Sequence, residues 1–142
     1  MVATHDGRGI RRLDRGPLRV LADTHALVWA LTDPRSLSNK ARQLLTDAEV
    51  TVSVASLWEL ILKRNKPNAL LADPVPWWEK YIVEPGIATL AIRTAHVIAV
   101  GRLPAIHGDP FDRVLVAQSM VEGTPLVSKD AILRRYGVPV IW

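Results

Sequence analysis

Cysteine is absent from this chain. Disulfides, thiolate zinc sites and cysteine nucleophiles are therefore excluded, and the composition is compatible with a reducing compartment. No apolar run approaches the roughly 18–20 residues of a membrane span. The first residues lack the apolar core of a signal peptide, so we expect a cytoplasmic protein that does not associate with a membrane. A glycine-rich phosphate loop of the NTPase type is missing, which leaves nucleotide hydrolysis without support. Internal repeats and low-complexity tracts are also lacking.

The chain has 142 residues, of which 49% are hydrophobic and 23% charged. That length suits a single domain with a buried core. The formal net charge is +4, which hints at a polyanionic partner. The excess is local, however. Arg8, Arg11, Arg12, Arg15 and Arg19 against Asp6 and Asp14 account for +3 of it. Gly7, Gly9, Gly16 and Pro17 deny this stretch a periodic apolar face. Residues 1–17 are expected to be a basic, disordered leader, or the product of an upstream start codon, with a nucleic-acid arm as the alternative. The folded domain is expected over residues 18–142.

From Leu18 onward, strand and helix patterns alternate. Leu18 to Ala22, Val50 to Val54, Ile87 to Ile92, Pro125 to Ser128 and Val138 to Trp142 read as short strands. Thr24 to Leu31, a segment from N-cap Ser38 to Ala48, Ser56 to Arg64, Pro74 to Val83, Thr94 to Leu103 and Phe111 to Glu122 read as helices, with a short one over Ala131 to Tyr136. Gly123 is a natural helix stop. Such alternation predicts an α/β fold, with a mostly parallel sheet covered on both faces.

Ligands of open α/β sheets gather at the carboxyl ends of the strands, and several acids fall there. Asp23 closes the first strand. Asp130 follows the Pro125–Ser128 strand, Asp109 and Asp112 sit where the helix before that strand begins, and Glu59 lies early in the helix after the second strand. Each aspartate has an ordinary alternative as a helix cap or dipole partner. Glu59, among Leu57, Trp58, Leu60 and Ile61, needs a partner or a cation unless it points to water. As a set, these carboxylates repel one another, and a divalent ion relieves the repulsion. Oxygen ligands favour magnesium or manganese over zinc. Such an ion can activate water and neutralise charge on a phosphodiester.

The segments Leu21-Ala22-Asp23-Thr24-His25-Ala26-Leu27-Val28-Trp29, Ser53-Val54-Ala55-Ser56-Leu57-Trp58-Glu59 and His107-Gly108-Asp109-Pro110-Phe111-Asp112-Arg113 resemble the PIN-domain family, most of all its VapC-type toxin branch. Ala117-Gln118 and Val127-Ser128-Lys129-Asp130 extend the likeness, which runs from Leu18 to Trp142. The resemblance implies a three-layer α/β/α fold with a central, mostly parallel sheet. It implies the toxin of a type II toxin–antitoxin system: an endoribonuclease that hydrolyses RNA with metal-activated water, using Mg²⁺, for which Mn²⁺ can substitute. A cognate antitoxin and a homodimer are implied as well. Asp23, Glu59 and Asp112 match the family's core acidic positions, and Asp130 matches the fourth. Asp112 is preferred over its rival Asp109 because it directly precedes the apolar run Val114-Leu115-Val116-Ala117. Ser128 keeps the hydroxyl of the commoner threonine.

Further residues flank these motifs. His25 and His107 are candidate proton carriers, with a structural or substrate-contact role as the alternative. Arg113 is a candidate phosphate clamp or a partner for a nearby carboxylate. Lys63, Arg64 and Lys66 form a basic patch that either contacts RNA or is a solvated helix end. Trp77 and Trp78 suit core or interface better than base stacking. Two other readings compete. One is a catalytically silent PIN-like module that only docks an antitoxin. The other is a receiver-type signalling domain, which would need an acidic pair after the first strand and an aspartate after a middle one.

Overall fold

Strand β1 (Arg19–Ala22) is buried on both of its faces, and its alternating side chains feed two different cores. Val20 and Ala22 join one apolar cluster, while Leu21 joins another. Strand β4 (Leu126–Val127) divides in the same way, Val127 to the first cluster and Leu126 to the second. A strand whose successive residues point to opposite faces can do this only when helices cover both sides. The computed structural model describes residues 18–142. The expected leader, residues 1–17, lies outside the described residues.

Five strands form one sheet in the order β3-β2-β1-β4-β5, and every pairing is parallel. The expected "mostly parallel" sheet is thus entirely parallel across the described residues. β2 spans Glu49–Ser53, β3 Ala88–Leu90 and β5 Val140–Ile141. The last two strands, and β4, are shorter than the apolar runs that predict them. The residues flanking the paired stretches are apolar for packing: Ile87 packs against the first cluster and Val138 belongs to the second.

Helices α1 (Thr24–Thr32), α2 (Asn39–Asp47), α3 (Val54–Lys63), α4 (Pro74–Trp78), α5 (Thr94–Arg102) and α6 (Pro110–Glu122) connect the strands. Leu27 of α1, Ala41 of α2 and Trp78 of α4 cover the first face. Leu115 and Val116 of α6, with Leu133 and Tyr136, cover the second. Each fully buried leucine or valine contributes about 1.5–3 kcal/mol.

Capping decides where the helices start. Ser38 accepts from the Ala41 N–H at 3.0 Å and Ser53 from the Ala55 N–H at 3.0 Å. The second cap starts α3 at Val54 rather than at Ser56, because the Ser53 hydroxyl satisfies an orphan donor at the helix end. Glu59 consequently lies in the second turn of α3, not the first. Gly123 closes α6 with φ of 63°, a left-handed conformation that favours glycine. The expected helix over Pro74 to Val83 changes type midway, since Glu79–Val83 forms a π turn in which the Glu84 N–H donates to the Glu79 carbonyl. Ala131–Tyr136 is a 3-10 helix. Over a single turn, the apolar period cannot distinguish these helix types.

In this strand order, the chain leaves β1 toward β2 on one side and reaches β4 on the other. The crevice at the carboxyl ends of β1 and β4 is therefore the switch point where ligands bind in open α/β sheets.

Candidate metal centre

Asp23 is the residue after β1, and its placement follows from its work as the cap of α1. Its Oδ1 accepts from the Ala26 N–H at 2.8 Å. The side chain is buried, and burial pushes its pKa above the usual aspartate range, with the Glu59 charge adding to the rise. The Ser128 hydroxyl, the Ala26 amide and His25 offset part of this. Cap and candidate ligand are thus not exclusive readings, since the capping Asp23 also lines the cleft at the strand ends.

Asp112 is in the first turn of α6. Burial pushes its carboxyl up to about 7, helped by the charges of Asp109, Glu59 and Asp23 and opposed by His107. Asp130 follows β4 and caps the 3-10 helix, accepting from the Ile132 N–H at 3.0 Å through Oδ1. Its other oxygen meets His107 Nε2 at 2.9 Å, and the same nitrogen lies 3.3 Å from Asp112 Oδ2. His107 Nδ1 accepts from the Asp109 N–H at 3.0 Å, so the ring's single neutral-state proton sits on Nε2, facing both carboxylates. One ligand atom each from His107, Asp112 and Asp130 lie within 4.8 Å of one another.

Glu59 has different company. It is buried, with Oε1 accepting from the Thr24 hydroxyl at 2.6 Å and Oε2 from Lys63 Nζ at 2.6 Å. Ser56 Oγ shares a 2.9 Å hydrogen bond with the same threonine hydroxyl. Lys63 Nζ also donates to Asp109 Oδ2 at 3.0 Å. Asp109 Oδ1 caps α6, accepting from the Phe111 N–H at 2.8 Å and more weakly from that of Asp112. Burial raises the Asp109 pKa, but Lys63 and the α6 amides more than compensate, and the group ends below its ordinary range.

The acids therefore form two groups. Asp23, Asp112 and Asp130 line an open cleft of about 290 Å³, together with His25, Trp29 and Lys129. Glu59 lines a neighbouring pocket with Thr24, His25 and Lys63, so His25 borders both. Between Asp112 and Asp109, the structure puts Asp112 on the cleft and Asp109 on Lys63.

Two of the expected RNA contacts sit elsewhere. Arg113 neither pairs with a carboxylate nor faces the cleft. Its guanidinium donates to the carbonyls of Pro104 at 2.8 Å and of Val100 and Leu103 at 3.3 Å, and to the Tyr136 hydroxyl at 3.3 Å. Backbone oxygens in and just after the last turn of α5 claim it, a tertiary contact invisible in the local sequence. Lys63 lies among carboxylates rather than pointing to solvent. Trp78 is a core residue and Trp77 packs against that core.

Lys129 at the cleft was not singled out as a site residue, although it is next to Asp130. Its ammonium lies 5.8 Å from the Trp29 ring centroid. Thr24 was passed over as well, and its only local signal is its position directly after Asp23.

Three carboxylates around one crevice form an all-oxygen donor set suited to a hard divalent cation, with the His107 N–H holding two of them. The Asp112 carboxyl is pushed up first by burial and then by the charges of Asp109, Glu59 and Asp23, and among the described residues no lysine or arginine pairs with it.

The family profile described as PIN domain matches residues 20–139. Ribonuclease VapC22 of Mycobacterium tuberculosis is 33% identical over 122 residues, covering 84% of this chain and 93% of that protein. Among solved structures, DNA-bound VapBC from Salmonella typhimurium superposes with a TM-score of 0.65 at 19% identity, covering 87% of this chain and 97% of that one. VapBC2 from Rickettsia felis, bound to a promoter DNA fragment, gives 0.63 at 12% identity, with 87% and 98% covered. A toxin–antitoxin complex from Klebsiella pneumoniae gives 0.56 at 16% identity, with 87% and 96% covered. At these identities, the structures establish the shared fold.

Proposed function

Because this chain belongs to the PIN-domain family, we propose that it is the ribonuclease toxin of a type II toxin–antitoxin system, a metal-dependent endoribonuclease. The observation that carries the reading is the convergence of Asp23, Asp112 and Asp130 on one crevice at the carboxyl ends of β1 and β4. The relative at 33% identity, a ribonuclease by name, selects RNA over other phosphodiesters.

Asp23, Asp112 and Asp130 would hold Mg²⁺, or Mn²⁺ in its place, with His107 keeping the last two carboxylates aimed at the cleft. When bound, the ion supplies positive charge that polarises the phosphodiester and acidifies water. The remaining steps belong to the protein. The α1 cap fixes Asp23 on a rigid helix end, and Ser128 braces it from the residue after β4. Lys129 and His25 border the cleft where an incoming phosphate must pass, and Lys129 offers it a cation. Glu59, held by Thr24 and Lys63, stands beside the cleft without facing it.

The reading includes a cognate antitoxin as partner, supported by solved relatives that are toxin–antitoxin complexes, and a homodimer. It places the protein in the cytoplasm with its RNA substrate. Among the described residues, no helix is long and apolar enough to cross a membrane.

The test is cleavage of end-labelled RNA by purified protein. Cutting with Mg²⁺ or Mn²⁺, loss of cutting in excess chelator, and loss in Asp23→Asn and Asp112→Asn are expected. An Asp112→Asn protein that cuts as well as the wild type would refute the assignment.

A further inference from the structure

Lys63 stands where a second cation would be expected. The acids of this region outnumber the bases, yet they are unequally served. Glu59 Oε2 and Asp109 Oδ2 both receive the Lys63 ammonium, at 2.6 and 3.0 Å. Among the described residues, no lysine or arginine forms an ion pair with Asp23, Asp112 or Asp130. Among the described residues, the side chain within ion-pair distance of both Asp112 and Asp130 is His107.

The ammonium is also held in place. Lys63 comes one turn after Glu59 on α3, the spacing that sets Glu and Lys side by side on a helix. Its Nζ lies 5.6 Å from the Phe111 ring centroid, and Phe111 itself packs on the Trp58 ring in an edge-on arrangement at 5.1 Å. The amine thus ties α3 to the start of α6 and occupies the space between Glu59 and Asp109. A divalent ion shared by these two carboxylates would have to expel a like charge lying about 3 Å from each of them, which electrostatics opposes strongly at such range.

Building on the metal-dependent reading above, we propose that the Lys63 ammonium replaces a second divalent ion. The centre then binds one ion per chain, on the side of Asp23, Asp112 and Asp130, with Glu59 outside its ligand set. Lys63 is a positioning residue in this scheme. It holds Glu59 back from the cleft and neutralises it there. The hydrogen bonds to Glu59 and Asp109 outweigh the cost of partial burial and keep the ammonium charged.

The experiment counts Mn²⁺ bound to the metal-stripped full chain by titration calorimetry, with paramagnetic resonance as the independent count. The wild type should bind one Mn²⁺ per chain. Lys63→Met should bind a second, because Glu59 and Asp109 then lack a cation, and Lys63→Arg should return to one. Glu59→Gln should leave the affinity of the single ion within about threefold, whereas Asp112→Asn should lower it by about tenfold or more. Two ions in the wild type, or one ion in a folded Lys63→Met, would overturn the proposal and leave the metal-dependent nuclease reading standing. No bound ion in the wild type would overturn both. Should Lys63→Met fail to fold, the wild-type count and the Glu59→Gln affinity still decide.

Discussion

The His107 ring nitrogen Nε2 lies 2.9 Å from Asp130 Oδ2. Because the Asp109 N–H donates to Nδ1 from behind, the ring cannot turn away without losing a hydrogen bond. The same nitrogen approaches Asp112, so one imidazole aims two carboxylates that come from different elements. Removal of a residue that orients metal ligands typically costs 10–100-fold in affinity. His107→Ala should therefore weaken Mn²⁺ binding by about tenfold or more, measured by calorimetry, while circular dichroism stays that of the wild type. Unchanged affinity would mean that Asp112 and Asp130 are aimed by other contacts.

The charge on Asp112 makes the stability of the metal-free protein depend on pH. Its carboxyl is pushed up to about 7 from an ordinary value of 3.8. Between those values the folded state keeps a proton that the unfolded chain has released. Stability must then fall as pH rises through this interval, the reverse of a salt-bridged aspartate. The melting temperature of the chelator-treated protein should drop from about pH 5 to about pH 8. Asp112→Asn should flatten that slope, and added Mn²⁺ should restore the loss at the alkaline end in the wild type only. A wild-type slope that survives in Asp112→Asn would locate the effect in another group.

Much of this site was legible one residue at a time. Ser38 read as a cap and is one; capping was the alternative reading for Asp23, Asp130 and Asp112, and the first two do cap while Asp109 takes that place for Asp112; Gly123 read as a stop, and its backbone is left-handed. Strand and helix alternation gave the parallel sheet, and sheet order then put Asp23 and Asp130 at adjacent strand ends. What stayed hidden was tertiary. The Glu59–Lys63 pair has local helical spacing and could have been read from it. The second half of that bridge, to Asp109, joins residues 46 positions apart. The destination of Arg113 was equally unreadable, since the backbone carbonyls it reaches on α5 and the following loop carry no mark in the side-chain sequence.

Arg113 supplies a third expectation. It donates to the carbonyls of Val100, Leu103 and Pro104 and to the Tyr136 hydroxyl, locking the end of α5 to α6 and to the 3-10 helix. A lysine cannot reproduce the planar fork. Arg113→Lys should destabilise the fold by about 1–3 kcal/mol in denaturant titration. Its KM for RNA, measured below the melting transition, should stay at the wild-type value. A raised KM with unchanged stability would instead return Arg113 to the phosphate-clamp role.

Lys129 makes the opposite case. Its ammonium stands at the rim of the cleft over Trp29, which orders it without neutralising it. Among the described residues it forms no ion pair, so its charge is available to a phosphate. A lysine that meets an RNA backbone releases counterions on binding, and for single strands each such contact contributes about 0.7 to the slope of log affinity against log salt. Lys129→Ala should therefore raise KM for RNA and reduce the salt dependence of kcat/KM by about that amount. The kcat at saturating RNA and the Mn²⁺ affinity should both hold, because among the described residues Lys129 forms no ion pair or hydrogen bond with the carboxylates or His107. A loss of Mn²⁺ affinity in this variant would show that Lys129 supports the metal centre itself rather than the path of the substrate into it.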